Sequence, residues 1–151
     1  MSKISLKDIK KLRDETGAGL MEVRVALEEA GGKAKKAKEI LKKLGVKKAA
    51  KRGDKATDEG FIFTYVHQGR IGAMVKLLCE TDFVARSSQF QKLGAELALQ
   101  IASMEPKNVE ALLKQEYIRD NKTKIADLVA AAAAKLKENI KVDDIARLAL
   151  K

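Results

Sequence analysis

The sequence predicts an α+β protein, and three observations support that class. Apolar residues recur at helical spacing between glycine turns over roughly the first 45 residues. The spacing changes to strand-like alternation between Phe61 and Cys79, and helical spacing returns after Phe83. A chain of 151 residues suits one domain with a small second unit.

Three short helices are predicted in the N-terminal region. A capping-box pattern at Ser5 starts the first helix, which ends near Glu15. The second helix runs from Leu20 to Ala30, and a pair of glycines follows it. The third has an apolar stripe that ends at Gly45, so the three helices form a small bundle.

The stretch from Lys47 to Glu59 contains no large apolar residue. It is therefore predicted to be either a linker or an exposed extension of the third helix. A boundary near Asp54 would divide the chain into an N-terminal unit, residues 1–53, and a core, residues 54–151.

A β-hairpin opens the predicted core. Residues 61–66 alternate between two faces, residues 67–70 form a short turn, and Ile71 to Cys79 alternate in the same way. After the hairpin, Phe90 to Ile101 carry an apolar stripe at helical spacing.

Two further helices are predicted in the C-terminal third, from Val109 to Tyr117 and from Ile125 to Leu136. Five alanines, residues 130–134, favour helix and leave a thin side-chain layer that suits packing close to a sheet. The tail from Ile140 to Leu150 fits either a helix or a third strand.

Composition disfavours several function classes. One cysteine and one histidine cannot form an intramolecular disulfide or a Cys/His zinc site, and they leave little for a catalytic triad. No Gly-rich phosphate loop occurs. No apolar run approaches the roughly 20 residues of a membrane span, and the first residues lack the apolar core of a secretory signal. We therefore expect a cytoplasmic binding protein without metal or cofactor, and not an enzyme.

Nearly all of the net charge of +10 lies between Lys33 and Lys55, a stretch with eleven basic and two acidic side chains. Such a stretch can attract nucleic-acid phosphates, so a basic RNA- or ribosome-associated module is the alternative function. A solvated helix face is the favoured interpretation, because no aromatic side chain interleaves with the basic residues as a stacking platform.

Residues 80–84 connect the hairpin to the next helix, and functional side chains often lie on such connections. The pattern alone favours a structural role. Thr81 or Asp82 would cap the helix, and Phe83 would pack into the core.

Two separated segments of the chain carry family motifs in the same order and spacing. One is Leu78 to Arg86, preceded by Val66 to Gly72, and the other is Leu12 to Glu22, continued by Ala26 to Gly32. Both closely resemble the elongation factor Ts family. A weaker match comprises residues 115–120 and 137–140.

That resemblance implies a guanine nucleotide exchange factor of translation elongation. It would bind elongation factor Tu in its GDP-bound and nucleotide-free forms, and would promote GDP release by disturbing the magnesium and phosphate site. The resemblance also implies that the N-terminal helices are similar to a ubiquitin-associated domain. The core would hold a three-stranded antiparallel sheet packed by helices, which favours a strand from Lys141 to Leu150.

The same resemblance implies two contact sites. Phe83 would wedge between side chains of the GTPase, with Asp82 acting beside it near the magnesium-binding region. The contacts expected from this segment are Thr81, Asp82, Phe83 and Val84. Those expected from the docking helices are Leu12, Arg13, Gly17, Gly19 and Met21.

The chain departs from the family pattern in three places. Residues 23–25 read Val-Arg-Val where the family commonly has Cys-Lys-Lys, and three lysines between positions 33 and 36 replace usually acidic residues. The region from Pro106 to Gln115 is much shorter than in typical members. This shortening predicts fewer contacts with the second and third domains of the GTPase.

Overall fold

The computed structural model describes residues 4–151 and has an α+β fold, as predicted. The helices are α1 (Leu6–Thr16), α2 (Leu20–Glu29), α3 (Ala34–Lys51), α4 (Asp82–Ala85), α5 (Ser88–Met104), α6 (Val109–Lys114) and α7 (Ile125–Leu136). The strands are β1 (Glu59–His67), β2 (Ile71–Cys79), β3 (Glu116–Tyr117), β4 (Asp120–Lys124) and β5 (Lys141–Ala149).

None of the helices within residues 4–151 combines the length and the hydropathy that a membrane span requires. The expectation about a secretory signal rests partly on residues 1–3, which lie outside the described part of the chain.

Helices α1, α2 and α3 pack around a small apolar core of their own. Ser5 caps α1 as predicted, because its hydroxyl accepts a hydrogen bond from the backbone N–H of Asp8 at 3.1 Å. Gly17 ends α1 with a φ of 68°, in the left-handed region that favours glycine. The three predicted helices are therefore present, and the first two have nearly the predicted bounds.

The prediction that Gly45 ends the third helix is wrong, since α3 continues to Lys51. A Cβ atom on Gly45 would lie 2.9 Å from the Cβ of Ala134 in α7. Glycine within a helix costs about 1 kcal/mol relative to alanine. At this position the missing side chain lets two helices approach closely, so the residue marks a contact rather than a helix end.

Helix α7 carries the alanine-rich segment and packs mainly against α3, with α5 and α6 as further neighbours. The expectation that this thin layer would lie against the sheet is therefore wrong. The partner is a helix because Gly45 presents an equally thin surface there. As a result, α3 belongs to the N-terminal bundle at one end and packs on the core at the other.

The main sheet is antiparallel in the order β1-β2-β5. The ambiguous tail forms β5, the strand that the family resemblance favoured. Phe63 pairs with Val75, and Val75 pairs with Ile145, so side chains of all three strands share the core face. The opposite face is exposed and includes Ile62, Met74 and Leu148.

Helix α5 covers the core face of the sheet. Its predicted apolar stripe is buried, and Phe90 has no exposed surface. A Cβ atom on Gly94 would lie 2.1 Å from ring atoms of Phe63, so the ring of β1 packs directly on the helix backbone at Gly94.

The predicted helix from Val109 to Tyr117 ends at Lys114, and its last two residues, Glu116 and Tyr117, form β3, which pairs with β4. The prediction is wrong in this part because of Gln100, a buried residue of α5. Its amide nitrogen donates to the carbonyl oxygen of Glu116 at 3.0 Å, and its amide oxygen accepts from the N–H of Ile118 at 3.0 Å. These bonds satisfy the buried amide with backbone groups of β3 and of the turn that follows it, so the chain leaves the helical conformation here.

Candidate functional site

The predicted contact segment, residues 81–84, turns directly from the end of β2 into the one-turn helix α4. Thr81 is the N-cap, and its hydroxyl accepts a hydrogen bond from the N–H of Val84 at 3.3 Å. The side chains of Val84 and Ala85 are buried in the main core. A helix of four residues is thereby fixed by a cap at its start and by burial of its second half.

Phe83 lies on the outer side of this short helix and is 83% exposed. The expectation that Phe83 packs into the core is therefore wrong, whereas capping by Thr81 is confirmed. A single exposed apolar residue is common on protein surfaces. Here the ring is carried by a backbone that is capped and anchored, so a partner could bind it with little loss of conformational entropy.

Glu138, in the turn between α7 and β5, clamps the segment. Its Oε2 accepts hydrogen bonds from the N–H groups of Glu80 and Thr81, both at 3.1 Å, and its Oε1 accepts from the Thr81 hydroxyl at 2.6 Å. The interaction is reciprocal, because the N–H of Asn139 donates to the Glu80 carboxylate at 2.6 Å. Hydrogen bonds to charged groups are the stronger class, so this clamp holds the backbone before Phe83 firmly.

The same turn also contacts the end of the N-terminal helices. The side-chain amide of Asn139 donates to the carbonyl oxygens of Gly53 at 3.2 Å and Lys55 at 2.9 Å. The guanidinium of Arg52 donates to the carbonyl oxygen of Lys137. Residues 137–139 therefore connect the end of α3 to the segment that carries Phe83.

The electrostatics around the segment are mild. The Asp82 carboxylate Oδ2 lies 4.0 Å from Nη2 of the Arg86 guanidinium. Both side chains are exposed, so this ion pair contributes little to stability. Burial raises the pKa of the Cys79 thiol to about 11, with the Glu138 carboxylate as a smaller cause. Cys79 is therefore a protonated, buried side chain.

The predicted docking residues separate into a surface pair and a supporting group. Arg13 and Met21 are exposed, and Met21 is 62% accessible. Leu12 is buried in the core of the bundle and cannot offer its side chain to a partner. Gly17 approaches α7, since a Cβ atom there would lie 3.1 Å from Cγ of Lys135, and Gly19 is the N-cap of α2.

A cleft of about 500 Å³ lies between the α1–α2 turn, α3 and α7. Its floor includes Leu41 and Ala134, and most of its charged lining residues are basic. Glu15 pairs with Lys38, and this hydrogen bond holds the pKa of Glu15 below its ordinary value. Glu22 pairs with Lys48, so part of the basic excess is neutralised within the chain.

The sequence did not reveal Glu138 and Asn139 as partners of the segment. They lie more than 50 residues away from it along the chain, and a clamp of this kind has no periodic pattern. The weak family match at residues 137–140 was the only signal, and it assigned no role to them. Among residues 4–151, no three His, Cys, Asp or Glu side chains are placed to hold a metal ion together.

Comparison with known proteins agrees with the resemblance of residues 78–86 to the elongation factor Ts family. Residues 80–151 match the family model described as elongation factor TS. Elongation factor Ts of Thermosipho melanesiensis is 50% identical over 121 residues, which cover 79% of this chain and 62% of that protein. Elongation factor Ts of Anaeromyxobacter sp. (strain K) is 35% identical, with 99% of this chain and 90% of that protein covered. Elongation factor Ts of Petrotoga mobilis is 36% identical, with 97% and 98% covered.

An α+β chain with these relatives falls in the class of translation elongation factors. More particularly, the chain belongs to the elongation factor Ts family. It spans less than two thirds of the Thermosipho relative. The alignment with the Anaeromyxobacter relative runs over 196 positions, so at least 45 of them have no counterpart among the 151 residues here.

Proposed function

We propose that this protein is a guanine nucleotide exchange factor that binds elongation factor Tu and promotes the release of GDP. The observation that carries the proposal is the exposed Phe83 ring on a capped and clamped one-turn helix. Aromatic side chains held in this way are typical centres of protein interfaces, because they bury a large area at a low entropic cost. Membership of the elongation factor Ts family supports elongation factor Tu as the partner.

The mechanism follows from how a GTPase holds its nucleotide. A phosphate-binding loop and a Mg²⁺ ion share the charge of the phosphates, so a partner that disturbs the metal region weakens the binding of GDP. In the proposal, Phe83 enters the GTPase domain as a wedge and the Asp82 carboxylate acts beside it near the magnesium-binding region. Linkage requires that the incoming nucleotide weakens the binding of this protein by the same factor.

Thr81 and Val84 take supporting roles within this segment. The Thr81 hydroxyl and N–H bind Glu138, and the Val84 side chain anchors α4 in the core. They are proposed to set the position of Phe83, so their effect on the partner acts mainly through that ring.

The N-terminal unit, residues 1–53, is proposed to be a docking module similar to a ubiquitin-associated domain, and residues 54–151 are proposed to be the core that carries the wedge. Arg13 and Met21 are the exposed side chains of the docking site. Leu12, Gly17 and Gly19 shape the α1–α2 turn that presents them. Two contact sites on one chain raise the affinity through a high effective concentration.

The core is proposed to be shortened relative to other members of the family. At least 45 positions of the alignment with the Anaeromyxobacter relative have no counterpart here, and the proposal places them in the core. A shorter core would contact less of elongation factor Tu outside its GTPase domain. Weaker binding of the nucleotide-free complex, with exchange activity retained, is the expected consequence.

The test is a stopped-flow measurement of fluorescent GDP release from elongation factor Tu, with excess unlabelled GDP as a chase. The full chain is added at about one tenth of the concentration of the GTPase. An exchange factor turns over, so release of the whole labelled pool should be accelerated. Release at the spontaneous rate would overturn the proposed function.

A further inference from the structure

The turn between α7 and β5 contacts two regions to which the proposed function gives different tasks. Glu138 holds the backbone before Phe83, and Asn139 holds the chain that leaves α3. The turn begins at Lys137 with a φ of 57°, a conformation that is uncommon for a residue other than glycine. Such a conformation persists when the surrounding contacts fix it, and the Arg52 guanidinium bonded to the Lys137 carbonyl is one of these contacts.

We propose that Glu138 and Asn139 are positioning residues for nucleotide exchange. Glu138 keeps the Phe83 segment in its binding conformation, and Asn139 fixes the distance between that segment and the docking helices. This inference rests on the proposed function, because it assigns the roles of wedge and docking unit to the parts that the turn connects.

The role of Glu138 follows from what its removal would leave behind. The N–H groups of Glu80 and Thr81 would lose their acceptor, and the Thr81 hydroxyl would lose the partner that orients it. The start of α4 would then sample other conformations, although the anchors Val84 and Ala85 stay buried. The fraction of molecules with Phe83 correctly placed would fall, and the exchange rate would fall with it.

The role of Asn139 is different, because its side chain contacts the chain after α3 rather than the segment. Its amide bonds the carbonyl oxygens of Gly53 and Lys55, at the boundary between the docking unit and the core. Loss of these bonds would loosen the geometry between the two contact sites. Simultaneous engagement of both sites would become less probable, which reduces affinity rather than the rate of release in the bound complex.

The experiment compares Glu138→Ala, Glu138→Gln and Asn139→Ala with wild type in the GDP-release assay over a range of protein concentrations. Glu110→Ala is the matched control, because Glu110 is an exposed glutamate whose pairing with Lys114 stays within α6. Glu138→Ala should lower the maximal release rate about tenfold or more, as expected for the loss of hydrogen bonds to a charged group. Glu138→Gln keeps an acceptor oxygen and should restore part of that rate.

Asn139→Ala should raise the protein concentration that gives half-maximal release severalfold and leave the maximal rate within about twofold. The first quantity reports affinity for the GTPase, and the second reports the rate of GDP release in the bound complex. Glu110→Ala should match wild type in both quantities. Amide hydrogen exchange at Thr81 should become faster in Glu138→Ala and stay unchanged in the control.

Three results would overturn the proposal. A maximal rate in Glu138→Ala equal to wild type would remove Glu138 from the mechanism. Glu138 would be a structural residue only if the Glu138→Ala variant releases GDP slowly because it is unfolded, while the Glu138→Gln variant is folded and reaches the wild-type maximal rate. An unchanged half-maximal concentration in Asn139→Ala would remove the link to the docking helices. If wild type itself fails to accelerate GDP release, the proposed function fails. The amide hydrogen exchange at Thr81 would then still show whether Glu138 holds the segment, but not that this contact serves nucleotide exchange.

Discussion

Two adjacent regions of the molecule use phenylalanine for opposite purposes. In α5 the ring of Phe90 has no exposed surface and packs against Phe63 in a tilted arrangement, with 5.9 Å between ring centroids. In α4 the ring of Phe83 is 83% exposed and adds almost nothing to the buried core. The difference shows that residue type does not decide the role here. The decisive property is whether the local backbone turns the ring toward the sheet or toward solvent.

The largest effect on stability should come from Phe90→Ala. Truncation of a fully buried phenylalanine removes its transfer free energy and leaves a cavity, which typically costs about 3–5 kcal/mol. Urea unfolding followed by circular dichroism would measure the loss. A cost below about 1 kcal/mol would mean that the core of α5 is not packed as described.

Gly94→Ala tests the contact between α5 and the sheet. Helix propensity alone would make this change stabilising by about 1 kcal/mol. The added Cβ would instead overlap the ring of Phe63, and overpacking of this kind costs about 1–3 kcal/mol. The sign of the change in unfolding free energy decides whether helix propensity or overpacking dominates. A variant more stable than wild type would contradict the close approach of Phe63 to Gly94.

A pH dependence should arise from Glu96, a partly buried residue of α5. Burial alone would raise the pKa of Glu96, but hydrogen bonds from Arg119 and Tyr117 outweigh it and hold the pKa below its ordinary value. A carboxylate with a lowered folded-state pKa stabilises the fold above its unfolded pKa, and this contribution is lost as the pH falls through the folded value.

Thermal unfolding between about pH 3 and 6 should therefore show a smaller loss of stability on acidification for Glu96→Gln than for wild type. Burial and the Glu96 hydrogen bond raise the pKa of Tyr117 to about 12, so this tyrosine does not titrate in the same range. Identical pH profiles for the two proteins would show that Glu96 is not the group responsible.

The smallest effect on stability should come from Phe83→Ala. An exposed side chain away from a packed core usually changes the unfolding free energy by no more than about 0.5 kcal/mol. The same urea experiment as for Phe90→Ala gives the comparison directly. A loss of about 2 kcal/mol or more, the size expected when a buried apolar side chain is removed, would place Phe83 in the core after all.

Periodicity predicted the elements whose faces differ strongly in burial, such as α1, β2 and α7. It failed at Gly45 because a glycine that permits close helix contact has the same sequence pattern as one that ends a helix. It failed at Tyr117 because the buried amide of Gln100 comes from a distant element.

The candidate site was harder to predict than the fold. A helix of four residues is too short for periodicity to assign its faces, so the pattern around Phe83 favoured the wrong side. Family resemblance pointed to the segment, but the clamp through Glu138 needed the three-dimensional structure. Leu12 and Met21 were selected by the same resemblance, and only the structure shows that Leu12 is buried whereas Met21 is exposed.

The most direct test of the central claim is the maximal rate of GDP release from elongation factor Tu with wild type, Phe83→Ala and Leu150→Ala. Leu150 is also an exposed apolar residue, at the opposite end of the chain's core, and is the matched control. Loss of an interface hot spot of about 2 kcal/mol or more predicts a rate roughly 30-fold lower for Phe83→Ala. Leu150→Ala should keep the wild-type rate. Equal rates for Phe83→Ala and wild type would contradict the account of Phe83 as the residue that drives release.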